Sequence, residues 1–146
     1  MLLAIALLMT PLAPPSGAAQ SPPSPLPQQA MTLVCTGDGD RRARQDRPFG
    51  DPGAYFKGDA ALELDGQGAA RVRLPDPLIP RIHGGGKDGW WPVKDLHITK
   101  AEVRGTVGFN VFDRAHLIVD LGLGIITVDD NLGRFVGRCQ PMAPPP

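Results

Sequence analysis

Cys35 and Cys139 are the only cysteines of this 146-residue chain, and every charged residue, from Asp38 to Arg138, lies between them. In an exported protein such an even pair reads as one disulfide. Closing a loop of about 105 residues removes unfolded-state entropy worth at most about 4.7 kcal/mol. The geometric demand is stronger than the energetic one. The segments that open and close the domain must be neighbours, with Cα atoms about 5.5–6 Å apart, which a closed or nearly closed sheet provides. Two buried free thiols, or one nucleophilic cysteine, are the alternatives; no histidine stands near either cysteine in the sequence.

The N-terminus supports export. Leu2 to Met9 is an apolar run, far short of the roughly 20 residues that cross a bilayer as a helix. It has the length of a signal-peptide core, and Pro11, Pro14, Pro15 and Gly17 end any helix after it. Small residues at Gly17 and Ala19, or Ser16 and Ala18, suit cleavage near Ala19. No Lys or Arg precedes the run, and no Cys directly follows it as a lipid-anchored protein requires. The expected organisation is a signal peptide over 1–19, a Pro-rich linker over 20–30, a β-domain over 31–140 and a Pro-rich tail over 141–146. The location implied is periplasmic or secreted, with no transmembrane segment after cleavage.

Lys plus Arg number 15 and Asp plus Glu number 15, with a pI near 6.8. A nucleic-acid binder needs excess positive charge, so that partner class is excluded.

Between the cysteines, short β-type runs alternate with turn chemistry. Strands are expected over 31–35, 60–64, 69–74, 95–100, 102–112, 116–121, 125–128 and 134–139. Asp65-Gly66-Gln67-Gly68 marks a hairpin. In the longest run Val103, Val107, Phe109 and Val111 share one face, and Gly105 and Gly108 suggest a bend or bulge. The fold class expected is all-β: a small antiparallel barrel or sandwich of seven or eight strands, with the first and last adjacent. Residues 36–52 and 75–92 are left as long loops, which in a compact domain carry function or move.

Chemistry is sparse. The serines, Ser16, Ser21 and Ser24, all precede the domain, so a Ser-His-Asp triad has no nucleophile within it. Glu63 and Glu102 are the two glutamates, and nothing in the spacing of the thirteen aspartates proposes a catalytic pair. His83, His97 and His116 lack zinc-ligand spacing. The acidic runs Gly37-Asp38-Gly39-Asp40 and Asp129-Asp130-Asn131-Leu132-Gly133 do not fit a calcium loop and read as solvated turns. The run from His83 through Gly84, Gly85 and Gly86 to Lys87 lacks the ending of a phosphate-binding loop and reads as flexible. No metal or cofactor is therefore expected.

The residues left for binding are Arg41 and Arg42 in the one local charge cluster, His83 and Lys87 in the Gly-rich run, and Trp90 and Trp91. On a strand, adjacent tryptophans face opposite sides. One then belongs to the core and the other can stack on a sugar or anchor a protein, although both plugging the barrel end is the plainer alternative.

Cys35-Thr36-Gly37, Gly89-Trp90-Trp91-Pro92, Phe109-Asn110, Ile118-Val119-Asp120 with Gly124-Ile125, and Phe135-Val136-Gly137-Arg138-Cys139 together span most of the domain. In these elements the chain resembles a group of small exported bacterial β-domain proteins. The hairpin turn there often reads Asp/Asn-Arg-x-Thr-Gly, where this chain has Asp120-Leu121-Gly122-Leu123-Gly124. The resemblance implies fold and compartment, and no activity. The expected function is an exported, non-enzymatic β-domain that binds an envelope protein or glycan through its long-loop end. The alternatives are a small periplasmic hydrolase using Asp and His, or an inhibitor of a hydrolase.

Overall fold

A computed structural model describes residues 29–43 and 53–142. The expected signal peptide, most of the linker, the tail beyond Met142 and residues 44–52 lie outside the described residues. Nine strands occur within them: β1 Met31–Arg41, β2 Ala54–Leu64, β3 Ala70–Arg73, β4 Trp91–Pro92, β5 Lys94–Ile98, β6 Glu102–Gly108, β7 Arg114–Asp120, β8 Ile125–Asp129 and β9 Gly133–Pro141. They form one antiparallel sheet in the order β4-β3-β2-β1-β9-β8-β7-β6-β5, so the first and last strands are neighbours.

The two outer strands of this sheet, β4 and β5, are separated in sequence by Val93. That residue stays on the β3 ladder, its N–H donating to the carbonyl of Ala70 at 2.9 Å. The segment 91–98 is thus one bent strand, paired with β3 at its start and with β6 at its end. It brings the sheet round into a nearly closed up-and-down barrel. Counted in this way the strands number eight, within the seven or eight expected; the ninth comes from the bend.

The bend is local chemistry. Asp95 takes φ 50°, a left-handed conformation that Asp tolerates because its short carboxylate bonds nearby groups. Here Thr106 Oγ1 donates to Asp95 Oδ2 at 2.9 Å. Across from it, a Cβ on Gly105 would lie 2.2 Å from Val93 Cγ1. The glycine makes room, while the irregular register falls on β5. The bulge anticipated within residues 102–112 is therefore on the opposing strand, and β6 pairs with β7 without interruption.

Inward-facing side chains alternate along every strand and fill the barrel: Leu33, Leu62, Leu64, Val72, Trp91, Val103, Val107, Phe109, Leu117, Val119, Ile126, Val128 and Phe135 are all buried. An eight-stranded barrel has an interior just wide enough for such packing.

Two expectations are corrected. Residues 36–41, expected as loop, are the extended half of β1, paired with residues 54–59 of β2 from Thr36↔Asp59 to Arg41↔Ala54. Gly37-Asp38-Gly39-Asp40 is a strand whose carboxylates alternate outward and whose inner face is bare Cα. Val111, placed on the core face by alternation, is 84% exposed, because β6 ends at Gly108 and the chain turns before reaching it.

The disulfide forms as expected. Cys35 and Cys139 are directly opposed in the β1–β9 ladder and joined, with Cα atoms 3.9 Å apart. That spacing is shorter than the roughly 5.5–6 Å expected and lies just below that of the closest cross-strand pairs of an antiparallel sheet, about 4.5 Å. Among the described residues no helix is long and apolar enough to cross a membrane.

Candidate functional site

Three connections meet at one end of the barrel, the long β3–β4 connection, β6–β7 and β8–β9, and β1 ends and β2 begins at the same end. The β3–β4 connection opens on Pro75. Its ring fixes φ for a short 3-10 turn at Asp76–Leu78, and Leu78 plugs the barrel end, fully buried. The chain then emerges at Arg81 and Ile82, and Ile82 is 83% exposed.

The glycine run that follows has a packing role. A Cβ on Gly86 would lie 2.5 Å from the Trp91 ring, and Gly86 takes φ 77°. Only glycine lets the backbone lie flat on the indole in that conformation. His83 meets the Trp91 ring edge-on at 5.1 Å, and Trp91 meets Phe109 edge-on at 4.9 Å. Trp91, 2% exposed, is a core residue capped by this loop. Read as a flexible segment, the run proves to be a lid on the core.

Trp90 faces the other way and is half-buried. Arg71 and Arg73 place their guanidinium carbons 4.8 and 5.2 Å from its ring centre. Arg73 also donates to the Asp88 carbonyl at 3.4 Å, and Arg71 is ion-paired with Glu63. Lys87, Asp88 and Trp90 share a shallow groove with Arg71. Trp90 is thus already engaged by two guanidinium groups.

On the other flank of the same connection lies a groove of about 360 Å3, lined by Arg41, Asp76, Ile79, Arg81, Ile82 and Asp113 among others. Arg41 ends β1 at this groove. Arg42 donates through Nη2 to Asp129 Oδ1 at 2.7 Å with both side chains about half exposed, a surface pair of small energetic worth. Below it, Asp130 closes the β8–β9 turn. Its Oδ1 accepts from the N–H groups of Leu132 and Gly133 at 2.6 and 2.8 Å, while Oδ2 is buried without a partner. Burial pushes this carboxyl up to about 6, against the pull of the two N–H donors and of Arg42.

The β6–β7 connection is the feature that alternation hid. Asn110 Oδ1 accepts from the N–H groups of Phe112 and Asp113, each at 2.8 Å. Its Nδ2 donates to the Ile82 carbonyl at 2.8 Å and to Asp113 Oδ2 at 2.7 Å. Asn131 donates to the other Asp113 oxygen at 3.2 Å, so both carboxylate oxygens of Asp113 are held by amides. Phe112, at the tip, is 87% exposed. The Asn-x-x-Asp spacing of Asn110 and Asp113 is the turn signal that marks this loop in the sequence.

The predicted binding residues therefore share one end but not one surface. Arg41 lies in the groove, Arg42 is paired with Asp129 and His83 is set against Trp91. Lys87 and Trp90 lie on the Arg71 side, and Trp91 is internal. His97 and His116 project outward from β5 and β7. Among the described residues no three His, Cys, Asp or Glu side chains gather as metal ligands would. Comparison of the chain with family models, with curated proteins and with solved structures finds no match.

Proposed function

We propose that the protein is an exported, non-enzymatic binding module that docks to a protein of the cell envelope through the end carrying the β3–β4 and β6–β7 connections. One observation carries the reading: Ile82, Val111 and Phe112, each more than 80% exposed, stand on connections joined by the Asn110–Ile82 hydrogen bond. Exposed apolar groups gathered beside polar ones are the mark of a protein-binding surface. A protein is favoured over a glycan because Trp90, the tryptophan outside the core, is already engaged by Arg71 and Arg73. The signal-like N-terminus and the disulfide that staples the barrel support an oxidising compartment.

The test is affinity capture from envelope extracts of the host with three baits: wild type, the triple variant Ile82→Ser/Val111→Ser/Phe112→Ser, and Leu123→Ser at the opposite end. The expected result is one protein retained by wild type and Leu123→Ser and lost by the triple variant. Equal retention by all three overturns the reading. The export claim is checked by the intact mass of the protein from its own host. A mass beginning near Gln20, with two thiols alkylated only after reduction, is the expected outcome.

A further inference from the structure

Val111 and Phe112 are exposed yet fixed. The turn that carries them is clamped from three connections at once: Asn110 bonds the Ile82 carbonyl of one, the Phe112 and Asp113 backbone of its own, and Asp113 is held by Asn131 of a third. The base is closed by the Phe109 N–H, which donates to the Asp113 carbonyl at 3.0 Å, and by the Gly84 N–H, which donates to the Phe109 carbonyl at 2.9 Å. The Asn110 side chain spends both donors and both acceptor directions on this task. A backbone ordered before binding loses little entropy on binding, so a rigid tip with two bare apolar side chains has the properties of a preformed anchor.

Resting on the docking reading above, we infer that the Val111–Phe112 tip is the anchor of that interface, and that Phe112 enters an apolar pocket on a protein partner, with Asn110 as the positioning residue. The occupant is a protein rather than a lipid surface because of what surrounds the tip. The adjoining groove presents two exposed side chains of opposite sign, Arg81 and Asp76. A lipid surface is laterally uniform and holds no fixed group to match each sign. A protein rim can answer both signs at fixed positions. The tip is also convex, and a convex anchor needs a concave receptor.

The experiment places the photocrosslinker p-benzoylphenylalanine, one site at a time, at Phe112, at Lys87 on the same end and at Leu123 on the opposite end. The full chain is expressed in its own host and irradiated. A single protein adduct at position 112 and none at 123, with the crosslinked partner peptide lying in a concavity, is the result expected. Protein adducts at 87 without any at 112 overturn the anchor and leave the docking end standing. Adducts at 123 only, or at no site, overturn both. A phospholipid adduct at 112 replaces the protein partner by the membrane. The role of Asn110 has its own readout: in Asn110→Ala, amide exchange at Phe112 and Asp113 should accelerate at least tenfold while Val103 and Val107 keep their protection. Unchanged exchange at the tip removes Asn110 from the proposal.

Discussion

The ring of Phe56 lies parallel to the ring of Phe135, centroids 6.3 Å apart and planes within 9°, across the bare Cα of Gly39. Gly39 is paired with Phe56 on β2 and with Phe135 on β9, so the two phenyl groups fill the inner surface that the strand between them leaves empty. This explains why a Gly-Asp repeat is a strand here. Its outward carboxylates are solvated, and its inward glycines admit the neighbours' aromatics.

Gly39→Ala should destabilise the barrel by about 1–3 kcal/mol, the usual cost of overpacking a filled core. The added methyl would lie 2.3 Å from the Phe56 ring and 2.6 Å from the Arg134 carbonyl oxygen. The second contact is backbone and cannot swing aside. Urea unfolding checks it; a midpoint equal to wild type would mean that the Phe56–Phe135 stack is loose.

The double variant Cys35→Ala/Cys139→Ala should lose about 2–4 kcal/mol and keep its β-sheet circular-dichroism spectrum in the absence of denaturant. The reason is that β1 and β9 remain hydrogen-bonded along the register from Leu33↔Pro141 to Arg41↔Gly133. A spectrum lacking strand signal would show instead that the staple is required for the sheet to close.

The two tryptophans should separate cleanly. Trp91→Ala removes a fully packed indole and should cost about 3–5 kcal/mol. Trp90→Ala loses exposed contacts with Arg71 and Arg73, worth about 0.5–1 kcal/mol each. In Trp90→Phe the remaining fluorescence, from Trp91, should be blue-shifted and resist acrylamide quenching. Ready quenching would contradict its burial.

Asp130 makes stability depend on pH. Its folded pKa, about 6, exceeds its ordinary value of 3.8, so the folded state binds this proton more tightly than the unfolded state. The contribution is therefore present in full below about pH 4 and is lost as pH rises through 6. Asp130→Asn keeps an oxygen for the N–H groups of Leu132 and Gly133 but carries no charge. Relative to wild type its folding equilibrium constant should rise by at least about tenfold between pH 4 and 7. Parallel pH profiles for the two proteins would remove Asp130 as the cause.

The period-two alternation in Arg71-Val72-Arg73-Leu74, in Asp95–Ile98 and along residues 102–108 was enough to give an all-β chain, because side chains on a pleated strand must alternate whatever lies around them. Two cysteines at the ends of the charged region were enough to make the first and last strands neighbours, since a disulfide tolerates little distance. Glycine was the point at which local reading stopped. Gly37 and Gly39 looked like a turn and are strand; Gly85 and Gly86 looked like part of a flexible loop and lie against the Trp91 ring. A glycine's meaning lies in what approaches its missing side chain, and that neighbour is distant in sequence. The binding end was legible only in outline. Its loops carry no period, and whether Val111 and Phe112 point inward or outward depends on where β6 stops. That limit is set by Asn110 and Asp113, which meet Asn131 and the Ile82 carbonyl from two other connections. Local sequence decided that the chain is built of strands and where most of them run; the closure of the barrel decided which side chains were left outside it, because only the closed sheet fixes what space the core has to fill.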